Sequence, residues 1–203
     1  MSMYLSEARY HNTIVECLHA GLQNESKIFL YFDTNILLDT IDHRNKSSIN
    51  LIDFLSKRKN LKLVTSVFAK VEIYETKQKD EFRKQKEKEG WTNEKIKRNI
   101  EKRDLSEDTL ASIAQKINTD IGKILSHFEK LTKLLKVGWG LAEEIKKTTN
   151  LTDKDSIHLA EARMAGCDIL VTRDKFLTKV AENYIWLATP DEILDIINSE
   201  LDE

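Results

Sequence analysis

Two aspartates follow apolar runs that the sequence predicts to be buried strands. Asp33 comes directly after Ile28–Phe32, and Asp174 comes two residues after the run Ile169–Thr172. Ligands of an open parallel sheet bind in the crevice beyond the carboxyl ends of its strands. We therefore expect both carboxylates at one edge of a sheet, in reach of a bound ligand.

Two further acids belong to predicted helices that begin at the same edge. Glu72 lies six residues beyond Ser66, where the strand predicted over Leu61–Thr65 ends, and Asp155 lies in the first turn of a helix capped by Thr152. Glu72 sits between apolar neighbours, so its partly buried charge needs a metal ion or a base beside it. Four carboxylates in one place would repel one another unless a cation neutralised them.

The four acids predict an oxygen-only metal site, and its ligands would be Asp33, Glu72, Asp155 and Asp174. No histidine or cysteine joins the set, which favours Mg²⁺ or Mn²⁺ over zinc. Helix capping is the alternative explanation for every acid in the set except Glu72. Arg173 could hold a phosphate or pair with an acid, and His158 could face the site or pack in the core.

The elements that must position these acids alternate between strand and helix. The three runs above and a fourth, Tyr184–Leu187, are apolar without alternation, as expected for a parallel sheet covered on both faces. The sequence therefore predicts an α/β fold with a parallel sheet flanked by helices. The length of 203 residues indicates a single domain, 1–203.

The middle of the chain, residues 77–149, interrupts this alternation. It holds no proline and no strand candidate, and a turn at 90–92 predicts a long helical-hairpin insertion. Apolar residues at steps of three or four predict one long helix with a single apolar stripe: Leu110, Ile113, Ile117, Ile121, Ile124, Phe128, Leu131 and Leu135.

The first part of the insertion, residues 77–103, is basic. It carries eleven lysines and arginines against six aspartates and glutamates, although the whole chain has a net charge of −2. Such a surface could steer nucleic acid towards an acidic site, through Lys84, Lys86, Lys95 and Arg98. A solvated helix face stabilised by Glu–Lys pairs is the alternative.

Five segments resemble, in their order and spacing, the characteristic parts of PIN-domain nucleases. They are Phe32–Asn35, Thr65–Ser66 with Glu72, Asp155–Ala162, Val171–Phe176, and the run from Ile185 to Glu192. The resemblance covers roughly residues 28–76 and 150–200, and the insertion at 77–149 departs from the family pattern.

This resemblance implies that the four acids hold Mg²⁺ or Mn²⁺. It also implies that Asn35 and Thr172 are supporting polar residues and that Asp153 is an outer acid. The activity implied is metal-dependent hydrolysis of phosphodiester bonds, by an endoribonuclease acting on single-stranded RNA. DNA is also allowed as a substrate, and a toxin role would bring an antitoxin partner or a homodimer.

Two other functions compete with this hypothesis. A phosphotransferase of the haloacid dehalogenase type needs a second aspartate at position 35, where this chain has Asn35. A catalytically silent nucleic-acid- or protein-binding module on a PIN-like fold would be expected to have lost one of the acids. The sequence also predicts a cytoplasmic protein with no membrane partner, because it lacks a signal peptide and a long apolar run.

Overall fold

Five parallel strands form one sheet in the computed structural model, which describes residues 13–132, 136–174, 177 and 184–201. The strands are β1 Ile28–Phe32, β2 Leu61–Ser66, β3 Lys130–Thr132, β4 Ile169–Val171 and β5 Trp186–Ala188. Their order in the sheet is β3-β2-β1-β4-β5, and every neighbouring pair is parallel. The chain builds outwards from β1 to β3 and then returns to the other side of β1. The strand order therefore reverses between β1 and β4, and ligands of such sheets bind at this switch point.

Helices lie on both faces of the sheet. Residues 13–22 are helical and form α1, and the others are α2 Thr34–Ile41, α3 Lys46–Ser56, α4 Val67–Lys88, α5 Asn93–Asn99, α6 Glu107–Leu125, α7 Lys136–Thr149, α8 Asp153–Met164 and α9 Pro190–Leu201. Within the described residues, no helix is both long and apolar enough to cross a membrane.

Each face of the sheet has its own hydrophobic core. Leu30 and Phe32 of β1 point into the larger core, which includes residues of α1, α2, α3, α4, α6 and α9. Tyr31 points to the opposite face and packs with residues of α7 and α8. Both faces of each inner strand are thus buried, which explains the unbroken apolar runs and confirms the predicted parallel α/β architecture.

Strand β3 contradicts the prediction that residues 77–149 contain no strand. Helix α6 ends at Leu125, and β3 then pairs with the end of β2, where Ser66 is the register partner of Thr132. Phe128, predicted to lie on a long helix, instead packs its ring 5.5 Å from that of Phe32. The strand has only three residues, too few to show a strand period, and the three-residue step from Phe128 to Leu131 imitates a helix.

Three residues of the sequence patterns described above lie outside the described residues: Leu135 of the apolar stripe, and Lys175 and Phe176 after Asp174. The predicted strand Tyr184–Leu187 is observed as Trp186–Ala188, and the other three predicted strands agree with the structure to within one residue at each end. The assignment of 1–203 to one domain with an insertion stays a prediction.

The helical hairpin predicted around Gly90 is present. Helix α4 runs to Lys88, Gly90 takes the left-handed conformation at φ +78°, and α5 begins at Asn93. We refer to residues 77–103 as the basic arm. Phe82 and Ile96 of the arm form a small apolar cluster with Leu105, and Ile113 of α6 packs against both this cluster and the larger core.

We expect Phe82→Ala to loosen the basic arm while the sheet stays folded. The side chain of Phe82 is 2% exposed, and removing a buried ring typically costs about 3–5 kcal/mol. Hydrogen exchange followed by mass spectrometry should show faster exchange over 79–105 and unchanged protection in β1 and β2. Phe82→Leu, which keeps most of the volume, is the control. Equal loss of protection in the arm and the sheet would show that they unfold as one unit.

Candidate functional site

Asp33 lies at the switch point between β1 and β4 and is held there from several sides. Its backbone N–H donates to the carbonyl of Val171 over 3.1 Å, which continues the β1–β4 pairing. The carboxylate caps α2, because Oδ1 accepts from the Thr34 N–H at 2.6 Å. Oδ2 accepts from Asn35 Nδ2 at 2.7 Å and from Thr172 Oγ1 at 2.8 Å. The predicted supporting residues Asn35 and Thr172 therefore both contact Asp33.

Glu72 projects from α4 towards Asp33 and is also buried. Its Oε2 accepts from Thr34 Oγ1 and from His158 Nε2, each at 2.6 Å. Lys154 Nζ lies 3.3 Å from the other oxygen, Oε1. The same His158 Nε2 is 3.7 Å from Asp33 Oδ1. Asp33 and Glu72 are thus brought together by one histidine, and we refer to these three residues as the acidic site.

Both ring nitrogens of His158 have hydrogen-bond partners. The Tyr31 hydroxyl donates to Glu161 Oε2 at 3.2 Å, so its oxygen is available to accept from His158 Nδ1, which is 2.8 Å away. On the other side of the ring, Nε2 donates to the Glu72 carboxylate. These contacts, together with a raised pKa, favour the imidazolium form of His158, which is 2% exposed within a group of acids. His158 also packs against the rings of Tyr31 and Phe68, so the structure shows it both packed in the core and facing the site.

The pKa values of the acidic site follow from burial and from these contacts. Burial raises the pKa of Asp33 above its ordinary value, against the opposing effects of His158 and of hydrogen bonds from Thr172 and Thr34. Burial also acts to raise the pKa of Glu72, but the hydrogen bond and charge of His158 outweigh it, so this pKa is lowered. Burial acts to lower the pKa of His158, and the neighbouring acids reverse the sign, so this pKa is raised. A cation among these acids is therefore strongly favoured.

Asp155 lies at the start of α8 and makes a capping contact. Thr152 Oγ1 accepts from the Asp155 N–H at 3.2 Å and donates to Asp155 Oδ2 at 2.6 Å. The capping interpretation of Asp155 is thus confirmed, while its role as a metal ligand stays a prediction. Asp153, the predicted outer acid, is exposed and pairs with Lys146 at 2.5 Å.

The segment after β4 carries Asp174 next to the acidic site. The Asp174 N–H donates to Thr172 Oγ1 at 3.1 Å, and Thr172 in turn contacts Asp33. Asp174 Oδ1 accepts from the Leu177 N–H at 3.2 Å, a cap-like contact. Thr172 therefore links Asp174 to Asp33 through two hydrogen bonds. The role of Asp174 as a metal ligand stays a prediction.

Arg173 pairs with an acid in this structure, which was one of its two predicted roles. Its Nη2 lies 2.6 Å from Oδ1 of Asp39, whose side chain is only 3% exposed. Ser48 Oγ donates to the other oxygen of Asp39 at 3.0 Å. The pair ties α2 to the segment that carries Asp174 and so positions the edge of the site.

Three residues that contact the site, Tyr31, Thr34 and Lys154, were not predicted from the sequence, and neither was Glu161, which contacts Tyr31. A periodicity argument could have found two of them. Lys154, His158 and Glu161 are spaced i, i+4 and i+7 on α8, so they share one face of the helix, on which His158 and Glu161 are buried and Lys154 is exposed. Buried polar residues need partners, and here His158 contacts Glu72 and Glu161 contacts Tyr31.

The oxygen donors at the acidic site are of the type that a hard divalent cation prefers. In this structure the basic side chains of His158 and Lys154 contact these oxygens. Asp33 and Glu72 offer carboxylate oxygens, and Asn35 Oδ1 beside them is buried with no hydrogen-bond partner among the described residues. Among those residues, which include all four predicted acids, no three His, Cys, Asp or Glu side chains are placed to hold one metal ion. The convergence of the four acids on a metal therefore stays a prediction.

The four basic residues predicted to bind nucleic acid lie on the arm in different environments. Lys84 and Arg98 are exposed, whereas Lys86 pairs with Glu89 at 2.8 Å and is largely covered. Lys86 Nζ also lies 5.1 Å and Lys95 Nζ 3.9 Å from the centre of the Trp91 ring. Lys86 therefore helps to build the arm, and the other three residues can present their charge to solvent.

Comparison with solved structures supports the fold. The structure of VapBC2 from Rickettsia felis bound to a DNA fragment from their promoter is similar to this chain, with a TM-score of 0.51 and 14% identity over 80% of this chain and 98% of that chain. A toxin–antitoxin complex from Klebsiella pneumoniae has a TM-score of 0.48 and 17% identity over 79% of this chain and 97% of that chain. The sequence matches no protein-family model and no curated protein. The first likeness confirms the predicted PIN-like α/β fold.

We expect His158→Gln to destabilise the metal-free protein more at low pH than at high pH. The folded-state pKa of His158 is raised above 6.5, so its stabilising charge is fully present below that value and is lost as pH rises through the folded-state pKa. Urea unfolding in EDTA between pH 5.5 and pH 9 should show a difference from wild type that shrinks as pH rises.

His127→Gln serves as the control for this experiment, because it changes an exposed histidine after α6. The control should follow the pH profile of the wild type. A difference between wild type and His158→Gln that stays constant, or grows with pH, would contradict the assignment of His158 as a cation.

Proposed function

We propose that this chain is a divalent-metal-dependent nuclease that hydrolyses phosphodiester bonds, and specifically an endoribonuclease acting on single-stranded RNA. The observation that carries the proposal is the burial of Asp33 and Glu72 together at the switch point of the sheet. His158 bridges them at 3.7 Å and 2.6 Å. Buried acids with shifted pKa values in the crevice of a parallel sheet are typical of functional sites.

In this proposal the chain's own residues hold the metal and orient the reaction. Asp33 and Glu72 would bind Mg²⁺ or Mn²⁺, with Asp155 and Asp174 as the remaining acids of the set. When bound, the cation lowers the pKa of a water molecule and stabilises negative charge on the phosphate. Asn35 and Thr172 hold the Asp33 carboxylate in a fixed orientation, which favours ligation without reorganisation.

The choice of RNA and the role as a toxin rest on the family resemblance and on one structural likeness. One solved structure with a similar fold is that of VapBC2 from Rickettsia felis, bound to a DNA fragment from their promoter. We extend the proposal to a toxin whose acidic site an antitoxin partner covers. DNA cleavage and homodimer formation are compatible with the same site chemistry.

A catalytically silent nucleic-acid-binding module is the second candidate function. It is favoured by the contacts of Glu72, since both of its oxygens already face a cationic side chain, His158 or Lys154. A silent module would bind RNA without cleaving it, and its binding would not depend on a divalent metal. The two candidates therefore differ in what Mn²⁺ does.

We expect Asp33→Asn and Asp155→Asn each to reduce Mn²⁺-dependent cleavage of labelled single-stranded RNA by at least about 100-fold. Asparagine can still cap a helix, so the fold should persist while the ligand charge is lost. Cleavage is followed by gel electrophoresis with Mn²⁺, with Mg²⁺ and with EDTA, on RNA and on DNA of the same sequence.

Asp53→Asn is the matched control, because Asp53 is exposed on α3 and pairs only with Lys57 in the described structure. It should cleave at the wild-type rate. Cleavage by wild type that persists in EDTA, or that survives in folded Asp33→Asn, would reject a metal-dependent nuclease. Wild-type activity in Asp155→Asn alone would show that Asp155 is a capping residue only.

The basic arm should contribute to binding of the nucleic-acid backbone. We expect the triple change of Lys84, Lys95 and Arg98 to Gln to weaken RNA binding regardless of base sequence. The salt dependence should also flatten by roughly 0.7 in log–log slope for each phosphate that the variant no longer neutralises. Fluorescence anisotropy of labelled single strands at several salt concentrations measures both effects.

The control for the arm replaces three exposed lysines elsewhere, Lys59, Lys123 and Lys147, with Gln. The same net charge is removed, so a general electrostatic effect would appear equally in both triple variants. An arm variant with wild-type affinity and salt slope would indicate that its charges serve another purpose.

A further inference from the structure

Lys154 approaches the acidic site from its solvent side. Its Nζ lies 2.8 Å from Glu75 Oε2 and 3.3 Å from Glu72 Oε1, so one ammonium group joins two acids of α4. The Lys154 side chain is 51% exposed, whereas that of His158, on the other side of Glu72, is 3% exposed. Glu72 is therefore enclosed between a buried cation and a cation that can move into solvent.

The two oxygens of Glu72 differ in how firmly they are held. Oε2 accepts from Thr34 and from His158, and both of these partners are buried. Among the described residues, Oε1 has one polar contact, with the ammonium of Lys154. Oε1 is therefore the oxygen of Glu72 with fewer partners, and its partner Lys154 is exposed.

The partners of Lys154 allow it to leave Oε1 without losing a counter-ion. Glu75 Oε2 holds its ammonium at 2.8 Å independently of Glu72. Hydrogen bonds from Lys154 and from Lys79 lower the pKa of Glu75 to about 2, so Glu75 is charged over the whole neutral range. Exposed pairs of this kind are individually weak, and one of them can break at small cost.

We propose that Lys154 is a tethered counter-ion that occupies Glu72 Oε1 in the metal-free protein and competes there with the divalent cation. This inference rests on the proposed metal-dependent function. Lys154 acts through Glu72 and is thus a positioning residue that determines metal affinity.

The test measures Mn²⁺ affinity directly, from the electron paramagnetic resonance signal of unbound Mn²⁺ at low ionic strength. Lys154→Gln removes the competing charge and keeps the length of a polar side chain, so its Kd for Mn²⁺ should fall about threefold to tenfold. Lys154→Arg keeps the charge and should bind Mn²⁺ within about twofold of wild type.

Lys146→Gln is the matched control for long-range electrostatics. It removes one positive charge near the start of α8, where Lys146 pairs with Asp153 and makes no described contact with Glu72. Its Kd should stay within about twofold of wild type. An equal fall in Kd for Lys146→Gln and Lys154→Gln would overturn competition at Oε1 in favour of a general charge effect.

Thermal unfolding provides a second readout that does not depend on cleavage. In EDTA, Lys154→Gln should melt below wild type, because Glu72 loses a counter-ion. In saturating Mn²⁺ that difference should close, since the ion replaces the ammonium and binding stabilises the variant more. A difference that is the same in EDTA and in Mn²⁺ would overturn the proposal.

The outcomes also separate this inference from the proposed function. If wild type binds Mn²⁺ and the Kd of Lys154→Gln is unchanged or higher, the role of Lys154 is overturned and the metal site stays in place. No Mn²⁺ binding in wild type and in Lys154→Gln would overturn both. Glu72→Gln should lose binding in either background, which assigns the measured ion to this site.

Discussion

The arrangement of this protein depends on neutralising two carboxylates that the fold removes from water. Asp33 and Glu72 are 8% and 9% exposed, and each would be costly to bury as an isolated charge. His158 supplies the compensating positive charge, and it can do so only if α8 packs where its ring reaches Glu72. The position of α8 against the sheet is therefore an electrostatic requirement as well as a matter of apolar packing.

The sequence predicted the parts of this arrangement that local signals determine. Unbroken apolar runs located the inner strands, and the residues that follow them located the edge where Asp33 and Glu72 meet. A metal ion or a base was expected beside Glu72, and the structure shows two basic residues there, His158 and Lys154. Strand β3 was missed because three residues form a strand only through pairing with β2. The contact between His158 and Glu72 joins residues 86 positions apart, and only tertiary packing creates it.

Capping and catalysis are compatible roles for the acids of this site. A helix N-terminus carries unpaired N–H groups and partial positive charge, so an acid placed there is stabilised before any metal arrives. Asp33 uses Oδ1 for its cap, and Asp155 uses Oδ2 in its contact with Thr152. Helices that begin at the carboxyl edge of a parallel sheet thus hold acids in place without cost to the fold. This is why the capping signal could not discriminate between the two interpretations of the sequence.

A chain of alternating charges connects the acidic site to the basic arm. Lys154 joins Glu72 to Glu75, and Lys79 joins Glu75 to Glu101 at 2.9 Å and 2.8 Å. Each exposed pair adds little to stability, so the main effect of the chain is to fix where charge lies. If a divalent cation takes the place of Lys154 on Glu72 while Glu75 keeps the ammonium, the positive charge at the acidic-site end of this chain increases. Added positive charge attracts a polyanion, so metal binding and substrate binding would favour each other through ordinary electrostatics.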